Sequence, residues 1–159
     1  MEFFDKTKMH LGDRAVKVLV VEDNDLERMR LQMVLQSMGL VVIAAENAAE
    51  ALRFLRKNRA DIVLSDWRMP GVNGLDFCQR LAADPAFGQP YFIMLTAQGA
   101  GADLIAAMDS GADDFITKPA WREELRVRLQ AGIRSLQRLQ PSKAAPNQTA
   151  GFTRVSPKA

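Results

Sequence analysis

Residues 61–74 read DIVLSDWRMPGVNG, and the fold turns on what this stretch does. Ile62, Val63 and Leu64 are consecutive, branched and apolar, the pattern of a strand buried on both faces rather than one shared between core and water. Such a strand carries no charge inside, so Asp66 marks its end. Met69-Pro70-Gly71 then turns the chain. Beyond Asn73, the residues Gly74, Phe77, Cys78 and Leu81 share one face of a predicted helix. A carboxylate at a strand-to-loop junction stands where open α/β sheets keep their chemistry. Taken alone, Asp66 is equally an acid that caps a turn, and the other strand ends decide between the two readings.

The same pattern recurs in both directions. Residues 18–21 (VLVV) form a buried strand ending in Glu22, Asp23 and Asn24, where Asp and Asn can cap a following helix. Leu31, Val34, Leu35 and Met38 keep helical spacing as far as Gly39, which supplies the stop. Residues 40–45 are a second strand. Asn47-Ala-Ala-Glu50 is similar to a capping box, ahead of a helix with Ala48, Ala51, Leu52 and Leu55 on its buried stripe. Asp84-Pro85 and Gln89-Pro90 mark a loop, after which residues 91–95 form a strand that stops at Thr96. A short helix with Leu104, Ile105 and Met108 ends at Gly111, and Phe115-Ile116-Thr117 is a brief strand ending at Lys118-Pro119. The last helix starts near Trp121, carries Leu125, Leu129 and Ile133 on one face, and is prolonged by Leu136 and Leu139 toward Gln140. Five strands alternating with five helices predict an α/β protein, a doubly wound parallel sheet of flavodoxin-like (βα)5 type with strand order 2-1-3-4-5.

With 159 residues, 48% of them hydrophobic, the chain suits one domain with a sizeable core and a remainder. Residues 1–15 read as a loose lead-in, 16–140 as the domain with its extended last helix, and 141–159, rich in Pro, Ser, Ala and Lys, as a disordered tail. A net charge of +2 is too small to imply nucleic acid. One cysteine, Cys78, excludes an internal disulfide. The charged N-terminus and the lack of a long apolar run speak against a signal peptide and a membrane span, so the cytoplasm is the expected compartment. His10, the only histidine, reads as a solvated surface residue, Trp67 as a wall beside Asp66, and the eight Met as mostly core.

Polar residues gather at the carboxyl ends of the strands: Glu22 and Asp23, Asp66, Thr96, and Lys118. In the order 2-1-3-4-5 the switch point lies between the first and third strands, so the three carboxylates converge in one crevice with Thr96 and Lys118 flanking it. Three such acids repel one another and need a cation to stay ionised together. A hard divalent ion resolves the conflict, Mg²⁺ (or Mn²⁺) best, because it takes few carboxylates and keeps positions for phosphate oxygens. An Asp can itself attack phosphorus, with metal and Lys neutralising the developing charge.

The segments VVEDN (20–24), LSDWRMPGVNG (64–74), MLTA (94–97) and GADDFITKPA (111–120), in this order and at these spacings, resemble the receiver domain of bacterial two-component response regulators, in the chemotaxis-regulator-like superfamily. The match runs from about Val16 to Leu136. The resemblance implies that Asp66 is the phosphoacceptor and that Thr96 and Lys118 contact the phosphoryl group. It implies that Glu22, Asp23, Asp66 and the Arg68 backbone carbonyl hold the metal. Phe115 matches the aromatic that turns inward when the threonine hydroxyl moves toward the phosphate, so Thr96 and Phe115 form a switch pair. Arg68 and Gln98 occupy places that tune phosphoryl lifetime. The implied partners are a histidine kinase or histidine phosphotransfer protein, and a second copy through the face of the fourth helix, fifth strand and fifth helix together with the extended last helix. Nucleic acid and membrane are not expected.

Four positions depart from the commonest pattern. Glu22 replaces an Asp and is expected to reach the metal through water, Ala120 replaces an aromatic after Lys-Pro, and Arg68 and Gln98 carry their own side chains at the tuning positions. The last helix is basic through Arg122, Arg126, Arg128, Arg134 and Arg138, and Asp113, Asp114 and Arg128 are similar to positions receivers use in pairing. The function implied is a signalling switch that catalyses its own phosphorylation and Mg-dependent dephosphorylation but turns over no external substrate, so it is not an enzyme in that sense. Two alternatives stay open: a receiver-like interaction module not controlled by phosphorylation, and the N-terminal fragment of a longer regulator with an effector domain. An Asp-nucleophile phosphatase is disfavoured because Arg68 stands where a second acid is needed. A flavin carrier is disfavoured because the loop after the first strand is acidic.

Overall fold

The computed structural model describes residues 9–97 and 101–139. Five parallel strands, β1 (Lys17–Val21), β2 (Val41–Ala45), β3 (Ile62–Asp66), β4 (Tyr91–Thr96) and β5 (Asp114–Thr117), form one sheet in the order 2-1-3-4-5. Between and after them run α1 (Asp25–Ser37), α2 (Ala48–Lys57), α3 (Gly74–Ala83), α4 (Gly101–Asp109) and α5 (Arg122–Leu139). This is the flavodoxin-like architecture expected from the alternation of strands and helices.

Period-two geometry divides each central strand between two cores. Val18 and Val20, Ile62 and Leu64, and Ile93 and Leu95 pack with Leu31 and Leu35 of α1 and Leu125, Leu129 and Ile133 of α5. Leu19 and Val21, Val63, Phe92 and Met94 face the other way, onto Ala51 and Leu55 of α2, Phe77, Cys78 and Leu81 of α3, and Ala107 of α4. Consecutive apolar residues in β1, β3 and β4 are therefore required, because both faces of those strands are covered.

Each of the first three helices begins with an asparagine cap, directly after its strand for α1 and α2 and after the loop of residues 67–73 for α3. The side chains of Asn24, Asn47 and Asn73 accept the backbone N–H of Glu27, Glu50 and Asp76, each such cap being worth about 1 kcal/mol. The expected box at Asn47 closes one residue early, since Glu50 accepts from the Glu46 N–H. Short, capped connections hold the strand ends close to the helix starts, which is where the site lies.

Four expectations are corrected. Residues 9–15 are not a loose lead-in: His10–Leu11 and Arg14–Ala15 pair as a small antiparallel hairpin, with Met9 and Leu11 buried in the α1/α5 core. His10 is half-buried rather than solvated, and its Nδ1 is enclosed without a hydrogen-bond partner. On α4 the buried residue is Ala107, while Ile105 and Met108 are exposed; Met29 and Met33 are exposed as well, so these methionines do not serve the core as Met38 does. Leu136 packs onto the core, leaving Leu139 as the exposed leucine at the end of α5. The proposed tail, 141–159, lies outside the described residues. Among the described residues no helix is long and apolar enough to cross a membrane.

Candidate functional site

Strand register brings the polar residues together. Val21 pairs with Ser65, Asp66 with Leu95 and Thr96 with Thr117, so the residues that end or follow β1, β3, β4 and β5 meet at one edge of the sheet. Carboxylate oxygens of Glu22, Asp23 and Asp66 lie within 4.8 Å of one another. Glu22 is 1% exposed and Asp66 8% exposed, whereas Asp23 is open to solvent.

Lys118 closes this group. Its Nζ stands 2.9 Å from Glu22 Oε1 and 3.1 Å from Asp66 Oδ1, and its backbone N–H donates to the Thr96 carbonyl at 2.7 Å. Burial alone lowers the ammonium's pKa, but the hydrogen bond to Glu22 and the charges of Asp66 and Glu22 outweigh it, and the group stays above its ordinary value. Burial pushes the Glu22 carboxyl up, against the pull of Lys118 and of the Asn24 N–H, and the Asp66 charge adds to the rise. The longer side chain of Glu22 is what spans to Lys118, while its other oxygen accepts the Asn24 N–H at 3.1 Å.

Several residues that support the site carry no motif. Arg28, one turn into α1, donates to the Glu22 carbonyl at 2.9 Å and pairs with Asp25 at 2.6 Å. Ser65 is fully buried and its hydroxyl donates to the Asp66 carbonyl. The Gly74 N–H donates to the Trp67 carbonyl at 2.7 Å, so the loop after Asp66 is tied to the start of α3. The only clue in the sequence was proximity to the acids.

Trp67, Arg68, Met69, Pro70, Gly71 and Asn73 line an open recess of about 430 Å³ beside Asp66, with Met69 buried and Arg68 exposed. Trp67 is a half-buried wall, packed against the α2/α3 core. Thr96 is buried at the end of β4, and Phe115 on β5 is half-buried against the core under α4. Gln98 lies outside the described residues.

The donor set fits a hard divalent cation. All three donors are carboxylate oxygens, and with both Glu22 oxygens engaged by Lys118 and Asn24 and one Asp66 oxygen facing Lys118, Asp23 and the other Asp66 oxygen remain for an ion. Few carboxylates and open positions are what Mg²⁺ requires. Chemically, the arrangement offers a nucleophilic carboxylate, a neutralising ammonium, a hydroxyl on the next strand and an anionic cation site.

A family model described as the response regulator receiver domain matches residues 18–130. The chain is 37% identical over 118 residues to the DNA-binding response regulator MtrA of Mycolicibacterium smegmatis, an alignment covering 74% of this chain and 50% of that protein. It thus spans about half the length of that curated relative. A putative response regulator from Chloroflexus aurantiacus superposes with a TM-score of 0.72 at 33% identity, covering 75% of this chain and 98% of the other. The receiver domain of a sensor histidine kinase from Pseudomonas aeruginosa PAO1, crystallised with a magnesium ion coordinated in its active site cleft, superposes with a TM-score of 0.68 at 29% identity, covering 74% and 97%.

Proposed function

The chain belongs to the response regulator receiver domain family, and from that premise we propose that it is a phosphorylation-controlled switch whose acceptor is Asp66. The observation that carries this reading is the Lys118 ammonium shared between Asp66 and Glu22, beside an exposed Asp23. In the forward step an Asp66 oxygen attacks the phosphorus of a phosphohistidine on a histidine kinase or phosphotransfer protein. The P–O bond forms as the P–N bond breaks, and the electron pair returns to the imidazole. Lys118 neutralises charge on the phosphoryl oxygens, and the Thr96 hydroxyl donates to one of them. Asp23, Asp66 and the Arg68 carbonyl would hold Mg²⁺ or Mn²⁺, with Glu22 contributing through water. Bound there, the ion offsets the negative charge that otherwise keeps acceptor and donor apart.

In the reverse step water attacks phosphorus, the P–O bond to Asp66 breaks, and inorganic phosphate leaves. Arg68 and Gln98 govern access of that water and so the lifetime of the signal. The added phosphoryl group, about −1.5 to −2 charges, draws Thr96 toward it, and Phe115 moves into the space vacated. This is self-modification without turnover of an external substrate, and the cytoplasm is the compartment that a kinase partner implies. The expectation of no nucleic acid is confined to this segment, because the longer relative is named a DNA-binding regulator.

Mass spectrometry after incubation with Mg²⁺ and acetyl phosphate tests the assignment. A labile phosphoryl mass gain is expected on the wild type and its loss in Asp66→Asn. No gain on the wild type, or an undiminished gain in the variant, would refute it.

A further inference from the structure

At the opposite end of the sheet from Asp66, where β4 begins, a cavity of about 240 Å³ opens between α3 and α5. Its apolar lining includes Leu81, Pro90, Tyr91, Leu136 and Leu139, and its one charged lining residue is Asp113. The Asp113 carboxylate accepts the Phe92 N–H at 2.8 Å and has no cationic partner among the described residues, whereas the neighbouring Asp114 pairs with Arg128 at 3.4 Å. Leu139 is both the last described residue of α5 and part of the cavity rim, so the segment that follows starts at the mouth of this cavity.

The segment beyond α5 has the composition to fill this space. Residues 140–159 contain one aromatic, Phe152, and three cations, Lys143, Arg154 and Lys158, with no acid. We propose that this segment folds back and seats the Phe152 ring in the cavity, with Arg154 against Asp113. Phe152 lies 13 residues beyond Leu139, and a coil of that length spans roughly 20 Å, which would place the ring near the cavity at an effective concentration on the order of millimolar. A tail in this position clamps the end of α5 to α3 and to the start of β4. The proposal is independent of the phosphoryl chemistry at the other end of the sheet.

Cys78, the only cysteine, lines the same cavity and reports on its occupancy. In the full chain, native-state alkylation of Cys78 by iodoacetamide is expected to be at least about threefold faster in Phe152→Ala than in wild type, a change of about 0.65 kcal/mol in protection. Arg154→Glu should act in the same direction but less. Unfolding midpoints measured alongside separate this effect from global opening. Two-dimensional amide spectra of the same proteins should show changes centred on Tyr91, Gly111 and Leu136. Equal alkylation rates with unchanged amides there overturn the proposal. If the thiol reacts in neither protein, unchanged amides alone overturn it. Amide changes that grow with protein concentration assign the cavity to the tail of a second copy, and changes that require an added partner assign it to that partner; either result overturns it too.

Discussion

Gly74 has no room for a side chain. A Cβ there would press on the Asp66 carbonyl oxygen and stand 2.9 Å from Trp67 Cα and Met94 Sδ, and the backbone that must yield is the one carrying Asp66, the proposed phosphoacceptor. Gly74→Ala is therefore expected to cost about 1–3 kcal/mol in urea unfolding and to slow labelling of Asp66 by acetyl phosphate, where a surface glycine would do neither. The sequence placed Gly74 on the buried face of a helix, but its contact with Asp66 is set by how the loop returns, which no local pattern encodes. Glu22 is a similar case. Its carboxylate was legible as one of three acids gathered at the strand ends, while its reach to Lys118, 96 residues away, is a tertiary fact.

Elements with strong periodicity were legible, and those that depend on one distant contact were not. The hairpin at 10–15 has strands of two residues and no apolar period to betray it. It is anchored by Arg14, which grips Asp61 with contacts of 2.7 and 2.8 Å, while the Lys17 N–H adds a third at 2.8 Å. Burial pushes the Asp61 carboxyl up, but Arg14 and the Lys17 N–H outweigh it, and the folded pKa lies below the ordinary value. Its contribution to stability is thus complete above the unfolded pKa of about 4 and is lost as pH falls through the lower folded value. Asp61→Asn should cost about 1 kcal/mol at neutral pH and flatten the acid limb of a plot of urea midpoint against pH. An unchanged limb would show that the clamp is idle. On α4, periodicity offered an apolar stripe but could not choose its orientation, and among the residues of that helix whose burial is described it is the small Ala107 that is buried. On α1 the inward stripe was read correctly, yet the helix also carries an outward ridge of Leu26, Met29 and Met33, each more than half exposed. That helix is capped by Asn24, next to Asp23, so the ridge starts at Leu26 close to the acidic cluster. Met29→Asp should slow phosphotransfer from a phosphorylated kinase about tenfold, equivalent to about 1.4 kcal/mol of docking, and leave labelling by acetyl phosphate within about twofold. Equal slowing with both donors would place the defect in the site rather than in docking.

For the molecule as a whole, strand order was legible because five strands alternating with five helices have a common doubly wound solution, 2-1-3-4-5, and that order brings the polar ends of four strands to one edge. The outward faces of the chain were less legible, since exposure depends on which neighbours cover a helix. The pairing face expected from Asp113, Asp114 and Arg128 shows this. Arg128 is already engaged within the chain, with Asp114 at 3.4 Å and Glu124 at 3.8 Å, and Leu136 is half-buried against the core. Still outward on that side are Ile105 and Met108 of α4, Trp121 ahead of α5, and Val127 on α5. Exposed apolar side chains of this size favour burial against a partner, and Phe115, the proposed switch aromatic, stands on β5 between α4 and α5 in sequence. A phosphoryl group on Asp66, or beryllofluoride in its place, is therefore expected to shift the chain toward a dimer, with Trp121 supplying the largest contact. Light scattering should then give twice the monomer mass with beryllofluoride and Mg²⁺, and Trp121→Glu should return it to the monomer while Asp66 still accepts phosphate. A single monomeric mass in both states would remove the dimer from the output of this switch, and a dimer that survives Trp121→Glu would move the interface off this face.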